Sequence, residues 1–372
     1  LRFSGFDDEW NEVKLGDIST FLDNKRIPLK EDDRKQIKGE YPYYGASGII
    51  DYVNDYIFDE ELILMGEDGA NIVTRSSKLI FLAKGKYWVN NHAHVIKADN
   101  NINQYFLSES LERINYEKYN TGTAQPKLNR EVCQKIKVKI PQFNEQNKIA
   151  NFLLVIDEKL RLLEQKYQYY QNFKKYLMQQ IFTQKLRFDD NCHYKTKKVK
   201  DFLTESKIEG TDDINKRLTV KLNLKGITVR ESKTIEKEGA TKQFIRKSGQ
   251  FIYGKQNLHK GAFGIVPKEL DGYLSSSDIP SFDFKGEIEP KWFYYYFSRK
   301  SFYESLESLS TGTGSKRISP KEFLNIKLIV PELKEQHRIV CLFAKVDEEI
   351  NGISNQILQM NRFKKSLLQQ MF

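Results

Sequence analysis

Apolar residues recur at alternating steps of four and three along two stretches of this chain, 144–182 and 334–372, and nothing else restricts its fold so tightly. The first stretch places Ile149, Leu153, Ile156, Leu160, Leu163 and Tyr167 on that spacing and continues through Tyr170, Lys174, Leu177 and Ile181. The second places Ile339, Phe343, Val346, Ile350, Ile353 and Ile357, then Met360, Lys364, Leu367 and Met371, each 190 residues after its counterpart. A repeat of 3.5 residues sustained over this length keeps one stripe facing a partner helix, so the spacing predicts a coiled coil. Ordinary amphipathic core helices are the plainer reading, but they seldom run past about 25 residues without a cap or a break. Glu145 and Glu335 fall in the first turns and Lys174-Lys175 and Lys364-Lys365 near the last, where the helix dipole favours each sign. Lys174 and Lys364 lie on the stripe itself, which predicts a splayed or solvated coil end with the ammonium reaching out to water.

A helix of about 38 residues makes a rod of roughly 57 Å, and the segment between the two helices, at domain size, should be on the order of 40 Å across. Parallel helices would force that segment to span the whole rod. Antiparallel helices let it cap one end while the N-terminal segment caps the other. The expected fold is therefore α+β: two globular domains with short twisted sheets, over 1–143 and 186–333, joined by spacer helices over 144–185 and 334–372. The helices form an antiparallel coiled coil, and the whole is a dumb-bell with a pseudo-twofold internal repeat.

The duplication reaches beyond the helices. Leu1-Arg2-Phe3 recurs as Leu186-Arg187-Phe188, Lys14–Ile18 is echoed by Lys198–Phe202, and Thr121-Gly122-Thr123 recurs as Thr311-Gly312-Thr313. Residues 20–120 and 203–310 show little likeness, so one frame is used twice around two different middles. The first middle opens on a turn-rich aromatic stretch, Gly39–Gly48, followed by strands expected at Ile49–Val53, Leu62–Met65, Lys78–Leu82 and Ala93–Lys97 and a helix at Gln104–Ile114. In the second, strands are expected at Gln250–Tyr253, Phe263–Pro267 and Tyr273–Ser277 and a helix at Trp292–Glu304.

Charge gives the first hint of a partner. Sixty Lys and Arg against 50 Asp and Glu leave a net +10, which suits a polyanion, nucleic acid first. Cys133, Cys192 and Cys341 are odd in number and far apart, which points to a reducing, cytoplasmic setting without a disulfide framework. No apolar run approaches a membrane span.

With frame, middles and helices in view, the chain resembles the specificity subunits of type I restriction-modification systems over its whole length. The residues that carry the resemblance are YPYYGASGIIDY (41–52), MGEDGANI (65–72) and NNHAHVI (90–96) in one middle and the segment 249–282 in the other. Beside them stand Thr121–Leu128, its variant TGTGSKRI (311–318), and the Pro-x-x-x-Glu-Gln-x-x-Ile pattern that opens each helix. The resemblance implies a chain with no chemistry and no cofactor of its own. It would read a two-part sequence in double-stranded DNA and seat two modification subunits that transfer methyl from S-adenosylmethionine to adenine N6. Two restriction subunits, using ATP and Mg2+, would join them.

Within such a role, phosphate contacts set register and base-edge contacts set sequence. Thr121, Gly122, Thr123 and Lys127, and Thr311, Gly312, Thr313, Lys316 and Arg317, form loops suited either to holding a phosphate or to ending a domain as a structural turn. They lack P-loop spacing. Base reading is expected from polar residues beside glycine turns: Tyr43, Tyr44, Asn90, Asn91 and His92 in one domain, Lys255, Gln256 and Lys260 in the other. His92 and His94 have no further ligands at metal spacing, so a zinc site is not expected. The chain has no Pro-Pro pair, and hence no Asn/Asp-Pro-Pro-Tyr/Phe motif of the family's methyltransferases, which argues against a fused methyltransferase arm. A coiled-coil scaffold that makes no sequence-specific DNA contact is the remaining alternative.

Overall fold

The computed structural model describes residues 1–122, 124–231, 241–310 and 316–372. It divides into two compact units, Leu1–Leu163 with Ile357–Phe372, and Glu164–Gln356. The boundaries therefore differ from those expected: each long helix is cut near its middle, and each half packs into a globular unit instead of standing apart as a spacer.

In the first unit, β1 (Asn11–Lys14) pairs antiparallel with β10 (Lys137–Ile140), which ties the start of the unit to the strand that leads into the first long helix. The central sheet has the order β2-β9-β6-β7, from Ser19–Phe21, Ala93–Ala98, Leu62–Gly66 and Ile80–Ala83. Strand β6 reads Leu-Ile-Leu-Met-Gly and is buried along its whole length. Its alternate side chains enter two cores: Ile63 and Met65 join the one that includes the long helices, Leu62 and Leu64 the other. A second sheet, order β4-β3-β8-β5, is built from Gly48–Val53, Lys38–Gly45, Lys86–Val89 and Phe58–Asp59. The aromatic stretch expected to be turn-rich is mostly strand β3, an inner strand with β4 antiparallel on one side and β8 parallel on the other. Two register shifts, one between Lys38 and Tyr41 and one between Tyr43 and Tyr44, keep the pairing with β4. Helices α1 (Glu31–Gln36), α2 (Asn71–Thr74), α3 (Gln104–Glu112) and α4 (Arg130–Gln134) complete the unit.

The second unit repeats the first pair of features. Strand β11 (Tyr194–Lys198) pairs with β21 (Lys327–Pro331). The central sheet has the order β12-β20-β17-β18, from Leu203–Ser206, Ser281–Phe284, Phe251–Tyr253 and Phe263–Ile265, with the same succession of antiparallel partners as in the first unit. The divergent middles thus share a sheet that their sequences do not reveal. What differs is the rest: a three-stranded sheet, β13-β16-β19 (Glu209–Gly210, Gln243–Arg246, Tyr273–Ser276), and a hairpin of β14 (Leu218–Val220) with β15 (Ile227–Val229). The helix expected over Trp292–Glu304 is two, α6 (Pro290–Phe297) and α7 (Lys300–Ser305). Between them the Ser298 hydroxyl donates to the Tyr294 carbonyl at 2.7 Å and Arg299 Nε to the Tyr296 carbonyl at 3.0 Å, capturing the last carbonyls of α6. The short α8 (Pro320–Leu324) follows, opened by a reciprocal cap between Ser319 and Glu322.

The long helices are α5 (Phe143–Phe182) and α9 (Leu333–Met371). Ile149, Leu153, Ile156 and Leu160 are buried, as are Ile339, Phe343, Val346, Ile350 and Ile353, while Leu163, Tyr167 and Ile357 are half-buried. In the first unit the early part of α5 shares a core with Ile357, Leu367 and Met371, late on α9. In the second, Leu177 and Ile181, late on α5, share a core with Ile339 and Phe343, early on α9. Within both units, then, the two helices run antiparallel.

The stripe lysines are neither splayed nor solvated. Lys364 is 8% exposed. It donates to Asp157 at 2.6 Å, to Glu109 at 3.3 Å and to the Tyr105 hydroxyl oxygen at 3.4 Å, while that hydroxyl donates to Asp157 at 2.6 Å. Lys174 donates to Asp347 at 2.5 Å and lies 5.2 Å from the centre of the Tyr295 ring, whose hydroxyl donates to Asp347 at 2.8 Å. Lysine, aspartate and tyrosine recur together at the 190-residue offset. Burial, with the neighbouring carboxylates, holds both tyrosine hydroxyls far above their ordinary range and so keeps them as donors.

Candidate nucleic-acid interface

One edge of the first unit gathers most of the polar residues singled out in its sequence. Strand β6 ends at Gly66 opposite Ala93, and the chain on both sides continues into turns. The Glu67 amide donates to the His92 carbonyl at 2.9 Å, the Gly69 amide to the Pro126 carbonyl at 3.0 Å and the Leu128 amide to the Glu67 carbonyl at 2.8 Å. Three loops are thereby bound into one rim: Glu67–Gly69, Asn90–His92 and 120–128. His92 is half-exposed, with Nδ1 2.7 Å from Asp68 Oδ2, and its amide is capped by the Asn90 side chain at 2.8 Å. Asn91 is exposed, whereas Asn90 is 5% exposed and serves to shape the turn. Lys127 is half-exposed and 3.4 Å from Glu67.

The 120–128 loop is closed upon itself. The Thr121 amide and hydroxyl both donate to the Lys127 carbonyl, at 2.8 and 3.1 Å, and Asn120 Oδ1 accepts from the amides of Gly122 and Lys127 at 3.0 and 2.9 Å. A Cβ on Gly122 would lie 1.8 Å from the Gln125 carbonyl oxygen, so only glycine fits this turn. The donors a phosphate would need are largely engaged inside the loop, which favours its reading as a structural turn. Thr123, and Thr311, Gly312 and Thr313 of the second loop, lie outside the described residues.

Tyr43 is buried and cannot face a base, whereas Tyr44 is half-buried and adjoins the rim, its carbonyl accepting from the Asn90 amide at 3.0 Å. Neighbouring residues of β3 point to opposite faces of its sheet, and Tyr43 and Tyr44 pack into different cores. Tyr43 is 1% exposed, packs with Val53 and Trp88, and accepts from the Leu29 amide at 2.9 Å. The Tyr44 ring stacks on Phe81 at 5.7 Å, and burial raises its pKa.

Under the rim lies a charged network that sequence reasoning missed. His94 is 1% exposed, with Nδ1 2.7 Å from Asp23 Oδ2 and Nε2 2.7 Å from the Leu128 carbonyl oxygen. Both partners only accept, so both ring nitrogens carry protons and the group is an imidazolium. Burial is the largest single influence and opposes that charge, but Asp23 and Cys133 together outweigh it and the pKa is pushed up to about 10. Asp23 is lowered in turn: burial works against its charge, and His94 more than compensates. Arg26 bridges Glu67 at 2.7 Å and the Ala93 carbonyl at 2.8 Å. With both His94 nitrogens engaged, no metal-ligand role is open to it, and among the described residues no cluster of His, Cys, Asp and Glu is fit to hold a metal.

The second unit builds the matching rim at the end of β17. Gly254 and Lys255 follow the strand, the Ile318 amide donates to the Lys255 carbonyl at 2.9 Å, and Tyr253 donates to the Ile318 carbonyl at 3.1 Å. Arg317 pairs with Asp278 at 3.1 Å and Lys316 with Glu307 at 3.3 Å, both exposed. Lys255, Lys316 and Arg317 are thus brought to one edge. Gln256 is exposed beside them, and Lys260, also exposed, sits in the turn whose carbonyl accepts from the Asn223 amide at 2.9 Å. Inside, Arg246 is 1% exposed and bonds to Ser275 Oγ at 2.6 Å, Ser281 Oγ at 2.8 Å and carbonyls of Ser206, Ser275 and Ser276. Burial pushes its pKa down to about 10. The signal that could have found the Lys-Asp-Tyr sets was present, as three residue types repeated at one offset. No periodicity announces His94 or Arg246.

The family model of the type I restriction modification DNA specificity domain matches this chain twice, over residues 7–171 and 183–360. A candidate type I restriction enzyme specificity subunit of Haemophilus influenzae is 25% identical over 367 residues, covering 94% of this chain and 90% of that protein. The MjaVIII type I restriction enzyme specificity subunit of Methanocaldococcus jannaschii is 23% identical over 396 residues, covering 97% and 91%. The fold is similar to that of a type I restriction-modification S subunit from M. genitalium, with a TM-score of 0.65 at 14% identity over 100% of this chain and 97% of the other. With two family domains, the central sheet built twice and a rim of loops on each, the chain belongs to the type I restriction-modification specificity subunits.

Proposed function

We propose that this chain reads an asymmetric, two-part sequence in double-stranded DNA, one half with each unit, and carries no catalytic step of its own. One observation supports the reading above others. The two units share a central sheet of one order and one Lys-Asp-Tyr set, yet their remaining strands differ: a four-stranded mixed sheet in one, a three-stranded sheet and a hairpin in the other. A shared frame suits two like partners, and unlike surfaces suit two unlike half-sites. The partners would be a pair of modification subunits that methylate adenine with S-adenosylmethionine and a pair of restriction subunits that use ATP and Mg2+.

The long helices would set the unread gap between half-sites. Helix α5 has 40 residues. At 1.5 Å each that is roughly 60 Å, or at most about 17 base pairs at 3.4 Å per pair. Sequencing of methylated adenines in cells that express the chain with its modification subunit tests the reading. Exchange of residues 20–120 for another such domain should change one half of the methylated sequence and leave the other and the gap intact. Alteration of both halves would overturn it.

A further inference from the structure

The residue after the glycine at the end of the central strand is Glu67 in the first unit, behind Gly66, and Lys255 in the second, behind Gly254, and the two hold the same place, since their carbonyls accept from Leu128 and Ile318, residues 190 apart. Glu131, on α4, likewise stands 190 residues before Lys321, on α8. Two acidic positions in one unit are therefore two basic positions in the other.

In the second unit Lys255 and Lys321 line a cleft of about 590 Å3. Its other lysines are paired: Lys207 lies 3.0 Å from Glu205, and Lys242 bonds to Glu209. Lys255 and Lys321 have no carboxylate at ion-pair distance among the described residues. Behind them is Arg246, whose guanidinium hydrogen-bonds only to neutral oxygens and feels one carboxylate of the cleft, Glu205, which is itself paired with Lys207. Burying a cation among neutral acceptors is costly, and the cost falls when an anion docks nearby. Phe244, its ring 5.4 Å from the Arg246 guanidinium, adds an apolar wall fit for a sugar.

We propose that this cleft is a phosphate site, in which Lys255, expected from the sequence to read a base, instead joins Lys321 in holding one backbone phosphate of the DNA while Arg246 supplies a fixed positive charge beneath, and that the first unit has no such site at its matching place. The proposal rests on the DNA-reading role above and adds a division of labour: the second unit grips the backbone where the first does not. A phosphate contact fixes register and carries no sequence information.

The test is the salt dependence of DNA binding by the full chain with its modification subunits, measured by fluorescence anisotropy from 50 to 200 mM KCl on a duplex carrying the methylated sequence. Each neutralised phosphate adds about 0.9 to the slope of log binding constant against log salt. Lys255→Gln with Lys321→Gln should reduce the slope by about 1 and leave the methylated sequence unchanged, whereas Glu131→Gln should leave the slope as it was. Both lysines are surface side chains whose structural bonds run through their backbones, and a thermal melt confirms that the variant is folded. An unchanged slope in the folded variant overturns the site. A change in the bases of one half-site overturns its assignment to phosphate. A shallow slope in the unmodified complex would instead remove the DNA-reading role and the site together.

Discussion

Lys364→Met tests whether the buried lysine, not the apolar stripe alone, locks the end of α9 into the first unit. Methionine keeps the unbranched stem and helix propensity of lysine and deletes the charged ammonium with its donors. It would leave Glu109, 6% exposed, with Lys78 at 3.8 Å as its remaining cation, and Asp157, whose side chain is 35% exposed, with the Tyr105 hydroxyl alone. Breaking a buried pair costs about 3–5 kcal/mol. Water at Asp157 and the replacement cation at Glu109 place this case near the lower end, ~3 kcal/mol, which for a unit of this size is a fall of about 6–12 °C in Tm. Lys174→Met removes a lysine whose side chain is 22% exposed and which, among the described residues, pairs with one carboxylate, Asp347, 33% exposed, so ~1–2 kcal/mol is expected. Calorimetry of the full chain measures both losses, and amide exchange in α3 against α6 assigns each to its unit. Equal losses, or a larger one from Lys174→Met, would refute the argument, because the difference follows only from burial and carboxylate number.

The His94 imidazolium has a pH signature. Its pKa is raised in the folded state, so its contribution to stability is full below the unfolded value of about 6.5 and is lost as pH rises through about 10. Urea unfolding of the parent chain and of His94→Gln should therefore show a stability gap that is widest below about pH 6.5 and narrows from there towards pH 10. Tyr43→Ala should cost about 3–5 kcal/mol as a core truncation without changing the methylated sequence, whereas His92→Ala or Asn91→Ala should change the first half-site at little cost in Tm. Mapping of methylated adenines and a thermal melt separate the two classes.

The long helices were legible because their signal is periodic and is given twice: Ile149 to Tyr167 and Ile339 to Ile357 state one spacing at one offset. Strand β3 was not. Gly39 and Pro42 are turn residues by composition, and only pairing on both sides, with two register shifts, makes an inner strand of them. The break between α6 and α7 carries no glycine or proline; at it stand Ser298, bonded to the Tyr294 carbonyl, and Arg299, whose guanidinium lies 4.9, 4.1 and 5.0 Å from the ring centres of Phe182, Tyr296 and Phe302. Of the candidate interface, Asn91, His92, Lys127, Lys255 and Arg317 stand on the rims because glycine turns put polar residues at strand ends. Tyr43 misled because aromatic richness looks the same in a core as on a surface. Asp23, Arg26, Glu67 and His94 are scattered over 72 residues and meet only through the strand pairings.

Residues Ile357–Phe372 complete the core of the unit that begins at Leu1. During synthesis, the amino-terminal half would leave the ribosome lacking one wall and hold apolar surface open until the final turns of α9 arrive. Vectorial folding would thus finish in reverse order, the later-made half closing first. A stop codon placed before Ile357 should damage the unit that begins at Leu1 most.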